Sequence, residues 1–154
     1  MSELVVGAKA PVFSAPDQSG KTISLSDFKG KKVVLYFYPK DDTPGCTVEA
    51  CAFRDRAPDL AAAGARVIGL SSQAGAEQVE AAKRLHLPFA LLSDPSLRLA
   101  QAIGLPTFHH EGKTYFRRLS LVIDDGRITH VFYPVFPPDR HPADVVAWLR
   151  AHPR

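Results

Sequence analysis

The hydrophobic positions of this 154-residue chain fall into two alternating kinds of segment. Short runs that are apolar at nearly every position, VVLYFY (33–38), RVIGLS (66–71) and FALLSD (89–94), read as strands covered on both faces. After Cys46 the spacing changes: Ala50, Phe53, Ala57 and Leu60 make one helical stripe, which Gly64 stops. GAEQVEAAKRLHL (75–87) repeats the helical spacing through Val79, Ala82 and Leu85 or His86, and Pro88 ends it. Asp94-Pro95 reads as an N-cap followed by proline at the first helical position, which predicts a helix running to Gly104. TISL (22–25) predicts a short strand near the N-terminus. RLSLVID (118–124) and RITHVFY (127–133) flank Asp125-Gly126, a hairpin signal. A last helix from His141-Pro142 carries Val145, Val146 and Trp148.

The order is β-α-β-α-β-α, then a hairpin, then a helix. Repeated βαβ units imply parallel strands, and the hairpin adds antiparallel ones. The expected fold class is therefore α/β, thioredoxin-like in outline: a central mixed β-sheet with helices on both faces plus an N-terminal β extension. Residues 1–154 suit a single domain, with no repeat or linker; the Pro-rich FPPDRHP (136–142) is too short to divide it. A domain of this length buries roughly 68–70% of its unfolded surface and needs no disulfide staple.

Composition narrows the function classes. The net charge is +3, yet the 19 Lys and Arg are scattered among 16 acidic residues with no basic stripe, so no nucleic-acid partner is expected. No apolar run approaches the ~20 residues of a membrane helix, and MSELVVGAKAPVF has no charged leader and apolar core. The expectation is a cytoplasmic protein without a membrane partner. Thiols stay reduced in that compartment, so its two cysteines point to chemistry rather than to a lasting structural bridge.

Both cysteines lie in YPKDDTPGCTVEAC (38–51), where a strand hands over to a helix. Cys46 sits at or next to the helix start, after the turn made by Thr43 and Pro44-Gly45. Free N–H groups and the macrodipole favour negative charge there, worth up to ~2 kcal/mol for a thiolate. A nearby guanidinium would favour the ionised form further. Cys51 lies five residues along the same helix, which puts the two Cα atoms roughly 8.6 Å apart with side chains about 140° apart around the axis. A disulfide usually needs less than ~7 Å, so these thiols can join only if the first turns unwind. Pro58, which cannot bond the Arg54 carbonyl, reads as a joint that lets residues 46–57 unravel. The competing reading is two inert, buried cysteines.

FYPKDDTPGCTVEACAFRD (37–55) closely resembles the active-site segment of peroxiredoxins, in particular the bacterioferritin-comigratory or PrxQ class. Pro39, Thr43 and Cys46 match the family pattern P-x-x-x-T-x-x-C, and the TPGCT-x-EAC-x-FRD wording is that of the PrxQ class. The likeness extends from about Val5 to Leu149, through GAKAPVFSAPDQSGKTISLSDFKGKKVVLYFYP, LPFALLSDP and RLSLVIDDGRI. The resemblance implies a thiol-dependent peroxidase acting on hydrogen peroxide or an alkyl hydroperoxide. Cys46 would be the peroxidatic thiolate that becomes sulfenic acid, and Cys51 the resolving cysteine of an intramolecular disulfide. Thr43 would hydrogen-bond the thiolate and the peroxide, and Pro39 would shield the pocket. Arg118 would supply the guanidinium, with the neighbouring Arg117 pointing the other way, and Glu49 would hold the arginine in position. Thioredoxin or a similar dithiol reductant would restore the thiols. No metal, haem or flavin is implied, and an intramolecular resolving cysteine favours a monomer.

Two stretches depart from the family pattern: GLPTFHHEGKTYFRR (104–118) and HVFYPVFPPDRHP (130–142). LPTF suggests the cis-proline motif of thioredoxins, although an ordinary loop proline at Pro106 is the simpler reading. Among rival functions, a dithiol oxidoreductase wants C-x-x-C. A zinc module built on Cys46, Cys51, His109 and His110 would want cysteines two to four residues apart. The two histidines are expected on a surface loop, His86 at a helix end and His130 on a strand.

Overall fold

The computed structural model describes residues 4–10, 12–40, 43–73 and 75–153. Strands β1 (Ser14–Pro16) and β2 (Thr22–Ser24) pair antiparallel near the N-terminus and lead through a 3-10 turn (Leu25–Phe28) into β3 (Lys32–Phe37). Helix α1 (Pro44–Ala62), β4 (Ala65–Ser71), α2 (Gly75–Leu85), β5 (Ala90–Ser93) and α3 (Arg98–Ile103) follow in alternation. A small hairpin, β6 (Thr107–His110) and β7 (Lys113–Phe116), comes before β8 (Leu119–Asp124), β9 (Arg127–Phe132) and α4 (His141–Ala151).

The central sheet has the order β5-β4-β3-β8-β9. β3, β4 and β5 are parallel, while β8 runs antiparallel to both β3 and β9. The alternation of β3 sorts its side chains to two cores. Val33, Leu35 and Phe37 pack with Leu99 and Ile103 of α3 and with Ala10 and Phe13 of the N-terminal segment. Val34, Tyr36 and Tyr38 pack beneath Phe53 and Leu60 of α1, Ala82 of α2 and Val145, Val146 and Leu149 of α4. The mixed sheet with helices on both faces is thioredoxin-like, as the sequence pattern predicts.

The N-terminal segment also reaches the two outer strands. Its backbone meets β9 through Gly7 N to Ile128 O (2.8 Å), Ile128 N to Ala8 O (2.9 Å) and Ala10 N to Gly126 O (2.8 Å). On the opposite side, the Gln18 amide donates to Phe89 O (3.0 Å) and accepts from Leu91 N (2.8 Å), along β5.

Several elements differ in detail from the sequence expectation. The helix expected after Asp94-Pro95 starts at Arg98, because the Asp94 carboxylate caps the Arg98 and Leu99 amides (both 3.0 Å) across an intervening turn that puts Leu97 at φ +58°. Helix α2 ends at Leu85, and its buried face is Gln78, Ala81 and Ala82 rather than Val79. Gln78 donates to Ser71 Oγ (3.2 Å) and to the Leu92 carbonyl, which lets a polar residue occupy a core position. His109 and His110 lie on exposed strand β6, not in a loop. His86 follows α2 with φ +53°, and His130 is on β9. Among the described residues the cis peptide bonds precede Pro134 and Pro137, so Leu105–Pro106 is trans. Helix α1 runs unbroken through Pro58.

Candidate active site

The C-terminal end of β3 delivers the chain to the site. Tyr38 continues the strand direction with its N–H on Leu70 O (3.1 Å), and Pro39 and Lys40 begin the loop into α1. Thr43 is the N-cap residue with extended φ/ψ, and Pro44 occupies the first helical position, where its missing N–H costs nothing. The Thr43 carbonyl accepts the Thr47 amide (2.9 Å), and its hydroxyl donates to Lys40 O (2.8 Å), closing the loop. This local chemistry starts the helix two residues before Cys46, so the sulfur lies in the first turn.

Cys46 is buried, 4% exposed, and free. The Lys40 N–H points at its sulfur from 3.5 Å and Arg118 Nη2 from 3.3 Å. Arg118 precedes β8 and comes from far along the chain; its Nη1 donates to Glu49 Oε1 at 3.0 Å. Glu49 is 1% exposed on α1, one turn beyond Cys46. Burial pushes its carboxyl up to about 7, although Arg118 pulls in the opposite direction. One guanidinium thus serves two groups able to carry negative charge. The guanidinium lies close over Gly45: a Cβ there would be 2.6 Å from Arg118 Nη2, so an added side chain would require the guanidinium to shift.

The sequence-derived residues do not all converge equally. Cys46, Arg118 and Glu49 form one connected cluster; Thr43 and Pro39 flank it in the segment leading into α1, and the Thr43 hydroxyl, expected at the sulfur, donates to Lys40 O instead. Arg117 turns away as expected, its N–H on Pro106 O (2.9 Å) and its guanidinium 5.5 Å from the Phe108 ring. Cys51 is half-buried and free on the same helix. Sequence reasoning missed two contributors. The Lys40 amide depends on loop shape, and Gly45 was read only as a turn residue; its place directly before a helix-start cysteine was the available signal. It also missed a neighbouring polar couple on the same side of β8: Ser120 Oγ and His141 Nε2, 2.7 Å apart, both buried. The His141 ring meets Phe53 and Phe132 edge-on at 5.8 and 5.2 Å.

Among the described residues, no three His, Cys, Asp or Glu side chains come together as metal ligands would. His109 Nδ1 instead meets Thr114 Oγ1 within the β6–β7 hairpin (2.9 Å). No helix of the described residues is long and apolar enough to cross a membrane.

Comparison with known proteins shows the family and the fold. The model of the AhpC/TSA family matches residues 6–131. Peroxiredoxin Bcp of Escherichia coli (strain K12) is 42% identical over 156 residues, covering 99% of this chain and 99% of its own. The crystal structure of peroxidoxin BcpB from Mycobacterium tuberculosis is similar at 34% identity, with a TM-score of 0.86 and 98% of both chains covered. A bacterioferritin comigratory protein from Xanthomonas campestris, described for its alkyl peroxide reduction activity, is 27% identical with a TM-score of 0.83 and 92% of both chains covered.

Proposed function

This chain belongs to the AhpC/TSA family and is a thiol-dependent peroxidase, and we propose that Cys46 is its peroxide-reducing thiolate, resolved by Cys51. The observation that carries the reading is the Arg118 guanidinium, 3.3 Å from Cys46 Sγ and fixed on its other nitrogen by Glu49. A cation held in that way stays in place as negative charge moves from the sulfur to the leaving oxygen during reaction.

In the first step the Cys46 thiolate attacks the terminal oxygen of a hydroperoxide. The S–O bond forms, the O–O bond breaks, and the leaving alkoxide or hydroxide takes up a proton, giving alcohol or water and Cys46 sulfenic acid. Lys40 N–H and Arg118 are the donors at the sulfur, and the helix start adds its positive end. Thr43, whose hydroxyl donates to Lys40 O in the reduced chain, would turn that hydroxyl to the incoming peroxide, and Pro39 would screen the loop side from water. In the second step Cys51 thiolate attacks the sulfenic sulfur; the S–S bond forms, the S–O bond breaks, and hydroxide leaves as water. A thioredoxin-type dithiol then reduces the Cys46–Cys51 bridge by exchange. Because the resolving thiol is on the same chain, a single-domain monomer suffices, and the dependence on a dithiol suits a reducing cytoplasm. Both hydrogen peroxide and alkyl hydroperoxides fit this chemistry, the latter being the activity described for the Xanthomonas campestris relative.

The test is a thiol count with mass spectrometry. Reduced protein given a slight excess of hydrogen peroxide is expected to lose two thiols and form a Cys46–Cys51 disulfide at monomer mass. Cys46→Ser is expected to abolish turnover, and Cys51→Ser to stop at sulfenic acid. Peroxide reduction at the wild-type rate by Cys46→Ser would overturn the reading.

A further inference from the structure

In the reduced chain Cys46 and Cys51 belong to one continuous helix, with Cα atoms roughly 8.6 Å apart by helix geometry. That exceeds the reach of a disulfide, so the rate of resolution depends on what holds the first turns of α1 in place. Cys46, Glu49, Ala50 and Phe53 face the interior. Cys51 lies on a different flank, about 140° around the axis from Cys46.

Arg54, three residues beyond Cys51, shares that flank. Its Nη1 reaches across to α2 and donates to the carbonyl of Leu85, the last residue of that helix, at 2.8 Å. Its Nε is held by the Asp55 carboxylate at 3.0 Å. A terminal helical carbonyl lacks an intrahelical donor, and the negative end of the helix favours a cation. His86, in the left-handed region at φ +53°, turns the chain away directly after Leu85. Arg54 thus joins the helix that must open to the end of one that need not.

The α1 side of this seam is lined by small side chains. Cys46, Thr47 and Ala50 of α1 face Ala81 and Leu85 of α2 and the adjoining Leu87 around a gap of about 10 Å³, floored by Tyr36, Tyr38 and Leu91. With small side chains on the α1 side of the seam, a fixed polar tie carries more of the restraint than it would in a close-packed interface.

We infer that Arg54 is a positioning residue for resolution: its clasp on the Leu85 carbonyl holds the Cys51 flank of α1 shut and must release before Cys51 can attack oxidised Cys46. This rests on Cys51 being the resolving thiol. The step it restrains is the one written above, in which the Cys51 thiolate displaces hydroxide from the Cys46 sulfenic acid. Arg54 interacts electrostatically with the Cys51 thiol, whereas the donors at Cys46 are Lys40 N–H and Arg118, so its restraint bears on the opening that resolution needs and leaves the first oxidation alone.

The experiment compares wild type, Arg54→Ala and Arg54→Lys with two readouts. In reduced protein, amide hydrogen exchange over residues 46–54 is expected to speed up roughly three- to tenfold in Arg54→Ala, with α4 amides unchanged. In rapid-mixing experiments with one equivalent of hydrogen peroxide, the peroxide-independent disulfide phase is expected to speed up by a similar factor. The peroxide-dependent first phase should stay within about twofold. Arg54→Lys, which keeps a donor and a charge, should return both readouts most of the way to wild type. Unchanged or slower exchange over 46–54, or acceleration spread equally over α4, would overturn the clasp. If exchange behaves as expected but wild type forms no Cys46–Cys51 disulfide, the resolving role fails and the clasp stands.

Discussion

Arg118 and Ser120 stand two residues apart on the same side of the chain, and each anchors a buried polar couple beneath α1 or α4. The outcomes are opposite. At Arg118 one cation is shared between Glu49 and the Cys46 sulfur. At Ser120 a hydroxyl meets a single imidazole, roofed by aromatic rings. The partners are about equally hidden, with Glu49 1% and His141 4% exposed. Burial drives both towards neutrality: Glu49 is pushed up to about 7, and His141 down to about 4 with Asp144 opposing. The lesson is that hiding a titratable group does not by itself make a reactive site. What separates the two is a cation with two claimants, one of them a nucleophile.

The sharpest way to break the comparison is to remove the shared cation. Arg118→Met is expected to lower the second-order rate with peroxide by roughly 10²–10³-fold, measured by rapid mixing. Arg118→Lys, a point charge without the two-pronged geometry, should stay at least about tenfold below wild type. A rate unchanged by Arg118→Met would erase the distinction between the two couples.

Titration sharpens it next. Glu49 holds its proton in the folded chain but not in the unfolded one between pH 4.5 and about 7, so its contribution to stability falls as pH rises through that window. His141 is the reverse: between about pH 4 and 6.5 only the unfolded chain is protonated, so stability rises with pH. The two slopes oppose each other where the windows overlap. Glu49→Gln should therefore uncover a rise of up to about 3 kcal/mol across the histidine window, read from urea midpoints against pH. A Glu49→Gln profile parallel to wild type would show that these groups do not set it.

Two smaller effects follow. Ser120→Ala leaves His141 buried without its partner and is expected to cost about 1–3 kcal/mol of unfolding free energy while peroxide turnover changes less than about twofold. A turnover loss matching that of Arg118→Met would make Ser120 part of the site. Gly45→Ala puts a carbon into the space of Arg118 Nη2. It should reduce the peroxide rate by about tenfold with little loss of stability; an unaltered rate would mean that the guanidinium has room to retreat.

Much of this was legible in the sequence, and the gaps have physical causes. The uninterrupted apolar runs of β3 and β4 and the Asp125-Gly126 turn announce themselves, since strands covered on both faces admit few polar residues. Cys46 at the helix start was equally plain. The β6–β7 hairpin was not, because its turn is Glu111-Gly112, with φ of +50° and +76°, and its flanking residues are mostly polar. The start of α3 was misplaced because a carboxylate can cap amides four and five residues ahead. Gln78, Ser120 and His141 carry no local signal of burial, because their partners arrive from other elements. Arg118 became readable only through resemblance, since its distance to Cys46 is set by the pairing of β8 against β3, not by anything local.

The N-terminal segment that meets β9 at Gly7–Ala10 and β5 through Gln18 has a further consequence. An outer strand with unpaired N–H and C=O groups is a template on which another chain can add. Here backbone fills part of one margin, and a side-chain amide imitating a peptide unit fills part of the other. If α1 opens in each round of turnover as proposed above, the protein repeatedly exposes apolar surface to its neighbours. With part of each margin of the sheet already covered by its own chain, such an opening is biased towards reclosing rather than towards strand-to-strand growth between molecules.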